Sequence, residues 1–129
     1  MSYRSLDIWK LAKQQFREIH EMSLTLPKFE LYEGGSQIRR SARAVGSDIV
    51  EGYGRRRYKA DYVRILVCAL ASNDETIFHL EGLYETGSLR DKELYDHLLD
   101  QAMHLGSMLN RFIGGIEKRD QSSVLTPSA

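Results

Sequence analysis

Apolar residues recur along this chain every three or four positions, the spacing of amphipathic helices, and no stretch alternates as a strand does. In residues 5–25, Trp9, Ala12, Phe16 and Ile19 form one stripe, while Lys10, Lys13, Arg17 and Glu18 fall on other faces. Ser5 is positioned as the N-cap, and Pro27, which cannot continue a helix and restricts Leu26, ends it near Thr25. Gly34-Gly35 closes the loop that follows. A second helix is predicted from Ser36 to Gly52, with Ile38, Ala42, Val45 and Ile49 inside a sector of roughly 60°. Ser41, Ala44, Gly46 and Ser47 flank that stripe, and their small size suits a helix packed on more than one side. Gly52 and Gly54 supply the stop signal.

The third helix is expected from Lys59 to Glu85, with Tyr62, Leu66, Ala69, Asn73, Ile77, Leu80 and Tyr84 along its seam. A second apolar set, Val67, Ala71 and Phe78, lies about 120° round the same helix, which suits a subunit interface. Ser88-Leu-Arg-Asp91 has the form of a capping box and opens a fourth helix, about Leu89 to Lys118. Leu94, Leu98, Leu105, Leu109, Phe112 and Ile116 line one of its faces, and Gly114-Gly115 should fray its end. Four helices with short connections predict an all-α, up-down-up-down antiparallel four-helix bundle over residues 1–119, with a disordered polar tail at 120–129.

Composition narrows the possibilities further. A chain of 129 residues is one domain, large enough to bury a core without staples. Its single cysteine, Cys68, cannot form an intramolecular disulfide and reads as a small packing residue at a helix contact. No apolar run approaches the about 20 residues of a membrane span, and the first residues lack the apolar segment of a signal peptide. A cytoplasmic location is expected. The formal net charge is zero, so the chain as a whole is not a general polyanion binder. The charge is unevenly placed, however. Residues 36–64 hold eight basic and three acidic side chains, whereas 65–129 hold five basic and ten acidic.

A helical bundle invites a search for a di-iron site, which needs Glu-x-x-His pairs facing the interior. Here Glu75 and His79, like Asp100 and His104, are four apart rather than three, so no metal or cofactor is expected. His20 and His97 sit among charged neighbours, and neither a phosphate-cradling loop nor a nucleophile–base pair can be read. A non-enzymatic protein is expected. The arginines admit two readings. In one, Arg39 and Arg43 on one helix face and Arg55, Arg56, Arg57 and Lys59 in the next turn contact phosphates, with Tyr53 and Tyr58 available to stack. In the other, Arg40 and Arg43 pair with Asp48, Asp74 or Glu75, and Glu51 supports Arg55 at the i,i+4 spacing if the helix lasts that far. Under this reading Arg40, Asp48, Glu51 and Glu75 join Val67, Ala71 and Phe78 as structural or interface residues.

Several blocks together resemble a known bacterial four-helix-bundle family. They are Leu6-Asp-Ile-Trp9, Leu26-Pro27-Lys-Phe-Glu30, Ser36-Gln-Ile-Arg-Arg-Ser-Ala42, Asp48-Ile-Val-Glu-Gly-Tyr-Gly-Arg55 and Ala69-Leu-Ala-Ser-Asn-Asp-Glu75. The family includes proteins encoded within intervening sequences of 23S ribosomal RNA genes. The resemblance implies a homopentamer of antiparallel bundles around a central channel, with RNA or the ribosome as partner. It also implies a relation in fold to the accessory proteins of diversity-generating retroelements, which bind nucleic acid and partner a reverse transcriptase. Where the family often has Pro-Ala-Asn, this chain has Gly46-Ser47-Asp48, which adds a negative charge beside the basic helix.

Overall fold

The structure is a computed structural model that describes residues 2–125, with side chains through 119. Four α-helices and two short 3-10 turns account for its regular structure, with no strand among the described residues. The helices are α1 (Asp7–Ser23), α2 (Gly34–Gly54), α3 (Lys59–Glu85) and α4 (Lys92–Leu125). The 3-10 turns, Tyr3–Ser5 and Lys28–Leu31, precede α1 and α2. No helix among the described residues is long and apolar enough to cross a membrane. The expected tail falls in part on 126–129, outside the described residues, while α4 itself continues past Gly114-Gly115 to Leu125.

The helix ends differ from the sequence reading for identifiable reasons. Ser5 lies within the first 3-10 turn, so Leu6 takes the N-cap position of α1 without a side-chain hydrogen bond. Gly34 and Gly35 belong to α2 rather than to the loop, and they are needed for close approach. A Cβ at Gly35 would stand 2.6 Å from the Glu30 carbonyl oxygen, and one at Gly34 would stand 2.8 Å from Glu30 Oε1. The buried Glu30 carboxylate accepts from the Gly34 N–H (3.1 Å) and from the Ser88 hydroxyl (2.6 Å). It thereby ties the α1–α2 connection to the start of α2 and to the α3–α4 turn. Ser88 is thus spent on Glu30, and Asp91 caps α4 instead by accepting from the Leu94 N–H at 3.1 Å. Gly87, at φ +81°, makes the left-handed step after α3 that lets the chain turn back.

α2 packs on α1 and most extensively on α3; α3 packs on α4, and α4 on α1. The stripe predicted for α2 is the centre of this arrangement, with Ile38, Ala42, Val45 and Ile49 fully buried. Gly52 lets α2 lie close to α3, since a Cβ there would already touch Ile65 and Leu66 at 3.5 Å. The stripes of α1 and α3 are shifted from the reading. In α1, Ile8, Ala12, Gln15, Ile19 and Met22 are buried, while Trp9 and Phe16 cover the seam from its edge. In α3, Ile65, Thr76 and Leu83 are buried with Tyr62, Leu66, Ala69, Asn73 and Leu80, because two neighbours cover a wider arc than one.

The core divides into two apolar clusters. One joins Ile8 and Ala12, Val45 to Tyr53, Tyr62 to Ala69, and Leu105 to Ile116. The other joins Ile19 and Met22, Ile38 and Ala42, Leu80 and Leu83, and Leu89 and Leu98. Between them lies a polar layer. Gln15 Nε2 donates to Asn73 Oδ1 at 3.2 Å, and Asn73 Nδ2 donates to the Ala102 carbonyl at 2.8 Å. The Thr76 hydroxyl stands 2.9 Å from both Ser41 Oγ and the Ser72 carbonyl, and it donates to one of them. Outside this layer, Glu18 bridges α1 to α4 by accepting from Gln101 Nε2 (3.0 Å) and meeting His97 Nε2 (2.6 Å). Burial would raise the Glu18 carboxyl, but hydrogen bonds from Gln101, His97 and Gln14 outweigh it and hold the group below its ordinary value.

Two glycine substitutions should therefore move stability in opposite directions. Gly35→Ala forces a methyl into the Glu30 backbone and should cost about 1–3 kcal/mol. Gly46→Ala, where a Cβ meets nothing within 4 Å, should add about 0.5–1 kcal/mol from helix propensity. Urea denaturation followed by circular dichroism measures both.

Candidate nucleic-acid interface

The residues singled out from the sequence are separated by the fold into three groups, two of them basic. Arg39 faces inward and holds the α1–α2 connection. Its guanidinium donates to Ser23 Oγ (3.0 Å) and to the Leu31 carbonyl (2.8 Å). Arg43 lies over the Phe16 ring of α1 with its Cζ 5.3 Å from the ring centroid. Arg40 is exposed and makes no ion pair among the described residues, so the pairing of Arg40 and Arg43 with Asp48, Asp74 or Glu75 is not formed within the chain. The reason is angular. Arg43 turns toward Phe16 of α1, whereas Glu75 lies 3.7 Å from His79 on α3. Asp48 is partly buried; that burial, and then the neighbouring Glu51 charge, raise its carboxyl above the ordinary value.

The second group is the turn between α2 and α3. Arg55 stands between Glu51 (3.6 Å) and Asp61 (3.8 Å), and Asp61 also meets Arg64 at 3.7 Å. The Glu51–Arg55 pair forms because α2 continues through Gly52 to Gly54 instead of stopping short. Arg56 folds back on the helix end. It donates to the Tyr53 carbonyl at 2.9 Å, and its Cζ lies 4.0 Å over the Tyr53 ring. Tyr53 is itself buried, at 9% exposure, and so serves as the floor under Arg56 rather than as an open stacking surface. Arg57 is exposed and makes no ion pair among the described residues. Tyr58, 63% exposed, follows it. Gly54, Arg56, Arg57 and Tyr58 line a shallow depression of about 540 Å³.

Packing adds basic residues that the linear reading did not connect with this turn. Lys59 Nζ reaches the Glu117 carbonyl of α4 at 3.5 Å. Its ammonium is lowered by loss of water and then by the charge of Arg119, with Glu117 opposing. Arg119 also bears on Tyr62, whose phenol is raised chiefly by burial. At the other side, the 3-10 turn bearing Tyr3 and Arg4 packs on α2, and Tyr3 covers the same apolar cluster as Tyr53. Arg4 and Arg119 thus join Arg55, Arg56, Arg57 and Lys59 at one end of the molecule. The sequence signal for this grouping was the connectivity of the helices, because Arg4 and Arg119 are each more than 50 positions from the turn.

The third group of predicted residues lies on the outer face of α3. Val67 (48% exposed), Ala71 and Phe78 (70% exposed) are open to solvent, and Cys68 beside them is exposed rather than packed against a helix. Leu24, Phe29 and Tyr32 are exposed apolar residues of the α1–α2 connection that the sequence reading passed over. Among the described residues no three His, Cys, Asp or Glu side chains converge as a metal site.

Four helices packed in a ring, with a polar layer between two apolar clusters, define a helical-bundle protein. Residues 4–111 match the family model described as 23S rRNA-intervening sequence protein, and the chain belongs to that family. The structure is similar to a protein of unknown function from the S23 ribosomal protein family of Bacteroides thetaiotaomicron, at TM-score 0.70 and 23% identity. That similarity covers 82% of this chain and 97% of the other, and it concerns the fold. Among curated proteins no sequence match is found.

The different placements of Arg39 and Arg40 predict different consequences of removal. Arg39→Ala loses two hydrogen bonds from a charged donor and should destabilise the protein by about 1–3 kcal/mol. Arg40→Ala should change stability by less than about 0.5 kcal/mol. Thermal and urea unfolding of the two variants beside the parent protein measures the difference.

Proposed function

We propose that this protein is a non-enzymatic, cytoplasmic homo-oligomer that binds RNA or a ribonucleoprotein through the basic end formed by the α2–α3 turn. The observation that carries this reading is the run of Arg55, Arg56, Arg57 and Lys59 in one turn, with Arg119 of α4 bearing on Lys59 and the 3-10 turn of Arg4 packed on α2, in a chain whose total charge is zero. Positive charge gathered at one end binds phosphate even when the whole molecule is neutral. Membership in a family named for 23S rRNA intervening sequences supports RNA as the polyanion. Arg39 and Arg43 are better assigned to holding α1 on α2, and they contribute to the interface at most through their outer N–H groups. A reverse transcriptase as partner rests on analogy of fold alone and has no further support in the charge pattern.

The bundle is proposed to run up-down-up-down. The apolar clusters support this order: one collects the first part of α1, the last part of α2, the first part of α3 and the last part of α4, and the other collects the remainder. Self-association is supported by the exposed Val67, Ala71 and Phe78 on the outer face of α3, since such stripes mark interaction surfaces. A pentamer is the number the family resemblance implies. A second reading, a protein-binding scaffold without RNA, draws on the same face and on Arg40, which has no partner ion among the described residues and could find one on a neighbouring subunit.

Salt titration of RNA binding separates the readings. Replacing Arg55, Arg56 and Arg57 together by Ala should flatten the dependence of log K on log salt by roughly 2–3 units, if each meets a phosphate. An unchanged slope would remove this turn from the interface, and absence of RNA affinity even at low salt would favour the scaffold. Phe78→Asp should convert the oligomer to smaller species in light scattering with helicity unchanged; retention of the full oligomer would move the interface off this face.

A further inference from the structure

Four aromatic side chains stand well exposed: Phe29, Tyr32, Tyr58 and Phe78. Only Tyr58 is flanked in the chain by two basic residues, Arg57 and Lys59. It also lines a depression together with Gly54, Arg56 and Arg57. The depression measures about 540 Å³. Its parts have different freedoms. The Arg56 guanidinium is held over the Tyr53 ring and donates to the Tyr53 carbonyl, so its charge has a defined position. Arg57 has no ion pair among the described residues, and its donors are available to an anion. At Gly54, which also lines the depression, a Cβ would meet nothing within 4 Å.

We infer that this depression receives one unpaired nucleotide of a single-stranded RNA, the base stacked on Tyr58 and the adjoining phosphate held by Arg57 and Arg56. The inference rests on the RNA reading above and specifies what that surface selects. A base within an A-form duplex has both faces covered by its neighbours, and its major-groove edge lies in a cleft that side chains do not enter. An exposed tyrosine between basic residues therefore gains nothing from a duplex beyond charge. A single strand offers an open base face, and aromatic–base stacking tolerates any sequence. The site should discriminate by strandedness, with little preference among bases.

The test uses the purified full chain and fluorescence anisotropy with three labelled RNAs: a ten-nucleotide single strand, the duplex of the same sequence, and a single strand of the same length with abasic riboses. Tyr58→Ala should weaken binding of the base-bearing single strand by about 5- to 150-fold. Tyr58→Phe, which keeps the ring, should stay within about twofold of the parent. Neither change should alter affinity for the duplex or for the abasic strand. The salt slope of Tyr58→Ala should match the parent, whereas Arg57→Ala should lower its magnitude by about 0.7 on the single strand. Equal loss on all three RNAs, or no loss on the base-bearing strand, would overturn the pocket while salt-sensitive binding through the arginines persisted. Failure of the parent protein to bind any of the three would overturn the pocket and the RNA reading together. Circular dichroism melting of each variant guards against a folding defect, and Tyr58→Phe supplies the independent check.

Discussion

Asn73 is fully buried where α1, α3 and α4 meet, and an amide in that position must find partners or pay the full cost of leaving water. Its oxygen accepts from Gln15 on α1 and its nitrogen donates to a carbonyl of α4, so one side chain fixes three helices against sliding. Apolar seams alone would tolerate displacement, since one leucine packs nearly as well as the next. A one-turn slip here would strand two amides in the core. Ser41 and Thr76 apply the same constraint between α2 and α3, one turn further along. Gly106 belongs to this layer as well, because a Cβ there would stand 3.2 Å from Asn73 Nδ2. The positions of everything at the two ends of the bundle follow from that register.

At one end, register brings the α2–α3 turn beside α4 near Glu117 and Arg119 and beside the 3-10 turn that carries Arg4. The resulting charge is local and uneven. Arg55 is offset by Glu51 and Asp61, Arg56 is held against Tyr53, and Arg57 is exposed with no ion pair among the described residues. Exposed ion pairs such as those of Arg55 contribute little to stability, but they tune which arginines remain open to a ligand. At the opposite end Glu30 and Arg39 pin the α1–α2 connection with buried or partly buried hydrogen bonds. One end is therefore organised for packing, and the other leaves cations facing water.

Much of this was legible in the chain. The existence of four helices, the bounds of α3 and the core stripe of α2 follow from periodicity, because burial of one face imposes the same spacing on any helix of a bundle. Helix ends were less legible. Gly34-Gly35 has the composition of a loop, yet its glycines serve close approach to Glu30, a contact that exists only after folding. Ser88 and Asp91 fit a capping box, but Glu30, 58 positions from Ser88, takes its hydroxyl. Trp9 and Phe16 looked like core residues and instead cover the seam from its edge, because the polar Gln15 occupies the buried position as the partner of Asn73.

The candidate interface shows the same division. The sequence by itself determined that basic residues cluster in 36–64 and that the total is neutral, since charge is a property of composition and position. It also set Glu51 and Arg55 at the i,i+4 spacing, although their meeting required α2 to run past the expected stop at Gly52 to Gly54. Only the tertiary structure decided which arginines are spent and which are open. Arg39 and Arg57 are chemically identical side chains; one ends against Ser23 and Leu31, and the other ends in solvent. That difference arises from long-range packing, which places a hydroxyl and a carbonyl of one segment within reach of a guanidinium from another.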